Sequence, residues 1–165
     1  MNKLNVFNQY YSPWKYFSNW SGNFRLFFRQ FKWAYQRITC GYCDYDVWDL
    51  DQYYLNIFYE TLNKLADITH GYPGTEEFPT PELWENYLRE MAMDFYRGNE
   101  TNDYYPHPLE DSWWEEIKDL KEPWNYHSPK SKAMCNEAIE LEKKRINDIN
   151  TGFDKMKHVF GHLWD

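Results

Sequence analysis

The chain has 165 residues, a formal charge of −8 and a mean hydropathy of −0.91. That length is enough for one domain with a real core, and no run of about 18 uncharged apolar residues exists to span a membrane. The opening Met1-Asn2-Lys3-Leu4-Asn5 lacks the apolar core of a secretory signal, and three cysteines, an odd number, suit reduced thiols better than a disulfide framework. A cytoplasmic protein is the expectation.

Residues 1–23, with Ser12-Pro13 and Ser18-Asn19-Trp20-Ser21-Gly22-Asn23, show no sustained period and read as an irregular aromatic arm. Phe24, Phe27, Phe28, Phe31, Tyr35 and Ile38 then recur at steps of three and four, the pattern of an amphipathic helix, and Gly41 is placed to end it. Asp44 suits the N-cap of a second helix, with Asp46 in its first turn and Val47, Leu50, Tyr54, Ile57, Phe58, Leu62 and Leu65 forming its apolar stripe. His70-Gly71-Tyr72-Pro73-Gly74 stops that helix. Thr80-Pro81 opens a third, carrying Leu83, Tyr87, Leu88, Met91 and Phe95 and closed by Gly98. Ser112 with Glu115 has the spacing of a capping box, so a short helix through about Leu120 follows. From Lys130 to near Trp164 a near-heptad series runs through Met134, Ala138, Leu141, Ile149, Phe153, Met156, Phe160 and Leu163. A helix of that length reaches about 52 Å, more than a compact domain of this size spans, so it either bends near Asn150-Thr151-Gly152 or pairs with another copy. The expected fold is all-α: one domain over 1–165, an irregular bundle of about five helices with a long C-terminal helix.

The most distinctive stretch is Gly41-Tyr42-Cys43-Asp44-Tyr45-Asp46-Val47-Trp48-Asp49-Leu50-Asp51. In the run Gly41, Tyr42, Asp44, Asp46, Trp48, Leu50 and Asp51 the chain resembles a family of uncharacterised bacteriophage and prophage proteins with a Gly-aromatic-x-Asp-x-Asp-x-Trp-x-Leu-Asp motif. The resemblance continues in His70-Gly71-Tyr72-Pro73, in Thr80-Pro81-Glu82 with Trp84, and in the closing Leu163-Trp164-Asp165. It covers residues 33–96 and the extreme C-terminus. Cys43 stands where the family usually has serine, and Tyr45 where a basic residue is common. The resemblance implies a viral origin and a helical fold and carries no activity with it.

Asp44, Asp46, Asp49 and Asp51 could gather round a hard cation, but helical spacing does not converge them, and the glycine and terminal glutamate of an EF-hand loop are missing. Capping and solvation account better for them, with Asp44, Asp46, Trp48 and Asp51 retained as a candidate binding face for a partner or for basic residues such as Arg25 or Arg37. Cys40-x-x-Cys43 is half a zinc site without a second half. His158 and His162 lie four apart but opposite the apolar stripe. No nucleophile–base spacing, phosphate loop, cofactor motif or metal set appears, so neither catalysis nor a cofactor is expected.

Two imbalances point to recognition. Nine Trp, fifteen Tyr and eleven Phe make 21% of the chain aromatic, more ring surface than a small core can hide. Residues 1–40 hold six basic side chains and no acid, whereas 41–165 hold 12 basic and 26 acidic, a net −14. Arg25, Arg29 and Arg37 form a basic aromatic face, which suits docking on the acidic remainder, within a chain or between chains, better than binding nucleic acid that the remainder repels. The expectation is a non-enzymatic, phage-encoded binding protein of the host cytoplasm, an accessory or anti-defence factor that contacts a host or phage protein and forms homo-oligomers. A small-ligand or nucleotide binder and a virion-associated structural protein are the alternatives.

Overall fold

A computed structural model describes residues 24–107, 109–118 and 128–163, with backbone alone for 24–27, 110 and 111. The expected aromatic arm at 1–23, the end of the fourth helix near Leu120 and the closing Trp164-Asp165 lie outside the described residues. The described chain is all-α: α1 Phe24–Cys40, α2 Leu50–Ile68, α3 Pro81–Gly98, α4 Glu110–Ile117 and α5 Pro129–Val159, with 3₁₀ turns at Glu100–Asn102 and Phe160–His162. Among the described residues there is no strand, and none of the helices is long and apolar enough to cross a membrane.

The chain forms two compact units, 1–53 and 54–165. In the second, Leu55, Leu62 and Ala66 of α2 join Phe78, Trp84, Leu88, Met91, Ala92 and Phe95 from the α3 region and Met156 and Val159 of α5 in one apolar core. Thr80 caps α3 by accepting from the Leu83 amide, with Pro81 at the first helical position, where its missing N–H costs nothing. Phe78 meets Trp84 and Tyr87 edge-on and those two stack on each other, with ring centroids 4.9–6.2 Å apart. The buried face of α3 is centred on Trp84, Leu88, Met91 and Phe95, while Leu83 is exposed.

α3 and α5 interlock by glycine at two points. A Cβ on Gly98 would overlap Ile149 Cγ1, and one on Gly152 would sit 2.9 Å from Phe95 Cε1. Gly98 therefore serves close approach; it does not end α3 in a left-handed conformation, and the cap is Asn99 at φ −81°. α5 runs through Asn150-Thr151-Gly152 without losing its helical hydrogen bonding. Its length is matched by partners along it. Trp113 Nε1 donates to Ser131 Oγ, His107 faces Glu137 and the Met134 carbonyl, Tyr105 donates to Asp148, and Lys155 pairs with Asp94. The N-terminal half of α5 thus meets Trp113 of α4 and His107, and the C-terminal half meets Tyr105 and α3.

A charged network crosses that pair. Asp94, almost wholly buried, binds Arg97, and Lys155 Nζ lies 2.7 Å from its other oxygen as an ion pair. Arg97 also reaches Asp148 at 3.5 Å. Tyr105 donates to Asp148 at 2.6 Å, and that hydrogen bond, with burial, pushes the phenol up to about 12.

Three local expectations are corrected. α4 starts at Glu110 with Leu109 at its N-cap and no side-chain cap; Ser112 Oγ donates back to the Leu109 carbonyl, so the capping box does not form. α2 begins at Leu50, six residues after Asp44, because residues 44–49 form turns. The apolar stripe of α1 is not its buried face. Gln30, Trp33 and Ala34 are buried, while Phe28, Phe31, Tyr35 and Ile38 are exposed.

Candidate functional site

The first unit is built round the turn at 41–49. α1 ends at Gly41, whose φ of +83° is a left-handed conformation that glycine adopts freely, and its N–H bonds the Arg37 carbonyl at 3.0 Å. The chain then turns back. The Asp46 amide bonds Cys43 O and the Trp48 amide bonds Tyr45 O, both at 3.0 Å, and Tyr53 Oη donates to Gly41 O.

Asp46 anchors this turn. Its side chain is 4% exposed, accepts the Cys43 amide at 2.7 Å and takes both Nε and Nη2 of Arg37 in a two-pronged pair. Burial pushes this carboxyl up, but the Arg37 hydrogen bonds and the Cys43 amide outweigh it and hold the acid below the ordinary aspartate value. The same burial pushes the Cys43 thiol up. A planar guanidinium matching both carboxylate oxygens fixes the turn's orientation on α1.

Asp44 makes a second, exposed clasp. Lys32 Nζ donates to its Oδ2 at 2.6 Å and Gln36 Nε2 to its Oδ1 at 2.8 Å, while the Asp44 amide donates to Gln36 Oε1 at 3.2 Å. The hydrogen bond from Lys32 holds the Asp44 carboxyl below the ordinary range.

Between α1 and the turn lies an open cleft of about 370 Å³ lined by Arg29, Lys32, Trp33, Asp44, Tyr45 and Trp48. Trp33 and Tyr45 meet with centroids 5.2 Å apart and planes at 47°. The Arg29 guanidinium carbon lies 4.8 Å from the Trp33 ring centroid. Trp48 is 88% exposed, between Val47 and Asp49 in the sequence.

The motif residues therefore divide. Asp46 is architectural, tied to Arg37 of the basic face; Asp44 and Trp48 line the cleft; Asp51 is exposed, donating nothing to it and bonded by its neighbour Gln52. Arg29 lies at the cleft, whereas the side chain of Arg25 is outside the described residues. Asp44 does not cap α2, since helix begins only at Leu50. Among the described residues no three His, Cys, Asp or Glu side chains converge as a metal set would require. Cys40 is exposed and Cys43 buried, and His158 pairs with Glu77 at 2.6 Å.

The sequence reading missed Lys32, Gln36, Trp33 and Tyr45. A signal was present: Trp33 is the one large ring of α1 off the apolar stripe, and Gln36 and Arg37 follow Lys32 by four and five residues, ahead of a turn rich in aspartate. No protein family model matches the chain, and no curated protein or solved structure is similar to it, so geometry alone carries the reading of this site.

Proposed function

We propose that this chain is a non-enzymatic binding protein that acts through protein–protein contact, and that its contact surface is the outer face of α1. The supporting observation is the row Phe28, Phe31, Tyr35 and Ile38. These residues follow steps of three, four and three, the spacing with which one helix packs along another. All four are exposed, Tyr35 at 68% and Ile38 at 73%. Tyr35 and Ile38 are large apolar side chains left mostly to water, and such a pair suits a docking partner. Residues 1–40 carry six basic and no acidic side chains, which favours a partner with an acidic surface.

The resemblance to phage and prophage proteins makes the partner a host or phage protein met in the host cytoplasm, and an accessory or anti-defence role follows from that origin. The test uses the full chain and a Tyr35→Glu/Ile38→Glu variant. Light scattering measures self-association, and capture from host lysate at physiological salt reads partners. The reading requires a specific species, a second copy or a host protein, that the variant loses while keeping its helical circular dichroism. Identical capture and identical mass for the two forms would refute it.

A further inference from the structure

We propose that the cleft on the flank of α1 is a separate small-ligand site, built for a planar heteroaromatic ring that carries an anionic group, of which a nucleoside monophosphate is the simplest case. This site does not depend on the protein-contact reading. Arg29, Lys32 and Trp33 point roughly a third of a turn away from the Phe28/Phe31/Tyr35/Ile38 row, by the 100° step of an α-helix.

Three observations carry the inference. First, the cleft has the volume and character of a ligand site: about 370 Å³, within the range of roughly 300–1,000 Å³, with aromatic walls and a few polar groups. Second, its rings are arranged to receive another ring. Trp33 and Tyr45 already pack at 5.2 Å and form a fixed wall, while Trp48 stands 88% exposed at the same cleft. The turn that bears Trp48 is held by the Asp46–Arg37 and Asp44–Lys32 clasps, so the indole is presented from an ordered backbone. Stacking on an exposed indole recovers apolar area and accepts any base, because every base has a π-face.

Third, the polar lining favours an anion. Arg29 lies over the Trp33 ring, which aims its cation along the wall without consuming its N–H donors. Lys32 spends one N–H on Asp44 and keeps two more. The only acid of the lining, Asp44, has both oxygens engaged, by Lys32 and by Gln36, which offsets its repulsion of an incoming phosphate. The net charge of −8 disfavours a long polyanion, whereas a mononucleotide brings a single phosphate to Arg29 and Lys32.

The experiment observes the tryptophan indole N–H signals by NMR on the full-length protein, adding nucleoside monophosphates, the matching nucleosides, inorganic phosphate and single-stranded oligonucleotides. The expected result is a saturable shift at Trp33 and Trp48 with monophosphates at millimolar concentration or below, about tenfold tighter than with nucleoside or phosphate alone. Arg29→Gln should reduce the monophosphate affinity to that of the nucleoside and leave nucleoside binding unchanged. Trp48→Ala, at an exposed position, should weaken both while the helical signal and the Trp33 resonance persist. No shift at either indole, or monophosphate binding no tighter than nucleoside binding, would overturn the proposal. So would an oligonucleotide that binds more tightly than the mononucleotide with steep salt dependence, since that is the signature of a strand-binding surface.

Discussion

At the residue scale the Asp46–Arg37 pair shows how one side chain converts a polar stretch into a fixed turn. A carboxylate 4% exposed cannot remain charged without compensation, and three N–H donors, two from Arg37 and one from Cys43, supply it. Asp46→Asn keeps the shape but loses the charge that the half-buried guanidinium needs. We expect the first unit to lose up to about 3–5 kcal/mol, the range for breaking one partner of a buried pair. The effect depends on pH with a defined sign. The folded acid lies below the ordinary aspartate value of 3.8, so its stabilisation is present above that value and fades as pH falls through the folded pKa. Denaturation of wild type and Asp46→Asn, followed through α1, should therefore differ fully at neutral pH and converge only well below pH 3.8. A constant difference down to the most acidic pH would show that the carboxylate charge is not what matters. Asp44→Asn, by contrast, alters an exposed, solvent-screened pair and should leave the denaturation midpoint of the first unit essentially unchanged.

At the scale of elements the periodicity of apolar residues located helices well and oriented one of them wrongly. Thr80-Pro81 marks the start of α3 because both residues satisfy the first turn, and that signal needs no knowledge of the fold. The long helix was likewise legible: the near-heptad series expected from Lys130 to near Trp164, interrupted at Arg145, forms a helix over Pro129–Val159. What periodicity cannot say is which face the rest of the molecule will cover. On α1 the buried face is defined by Trp33 packing on Tyr45 and Arg37 reaching Asp46, contacts made across a turn that no helical repeat encodes. The phenylalanine row was consequently assigned inward and lies outward. Gly98 and Gly152 show the same limit. Gly98 does close α3, as its place in the sequence implies, but at both glycines a side chain of the other helix also sits against the backbone, which no sequence pattern announces. Gly→Ala in a helix normally adds about 1 kcal/mol. Here the added methyl meets Ile149 or the buried Phe95 ring, and overpacking costs about 1–3 kcal/mol. Gly98→Ala is expected to be net destabilising by at least about 1 kcal/mol, with Gly152→Ala the milder of the two because its closest contact is 2.9 Å. Chemical denaturation of both variants checks this, and a stabilised Gly98→Ala would mean that α3 and α5 do not meet so closely.

For the molecule as a whole, the two units differ in what holds them. The second has eleven side chains in a single apolar core, with Trp84, Leu88, Met91, Ala92 and Phe95 essentially sealed from water. In the first, the buried apolar side chains among the described residues are Trp33, Ala34 and Cys43, and hydrogen bonds and ion pairs round the 41–49 turn take a larger share. Each large apolar side chain fully buried contributes about 1.5–3 kcal/mol, so the units should open at different free energies. Native-state hydrogen exchange in low denaturant reads this directly. Amides of residues 33–40 in α1 should exchange through a partial opening several kcal/mol below the event that releases residues 88–95 of α3 and 149–159 of α5. Asp46→Asn should lower the first opening and leave the second unchanged, because Asp46 bonds only to residues of its own unit. A single common opening energy across α1, α3 and α5 would show instead that the clasp round Asp46 unfolds together with the Trp84–Phe95 core.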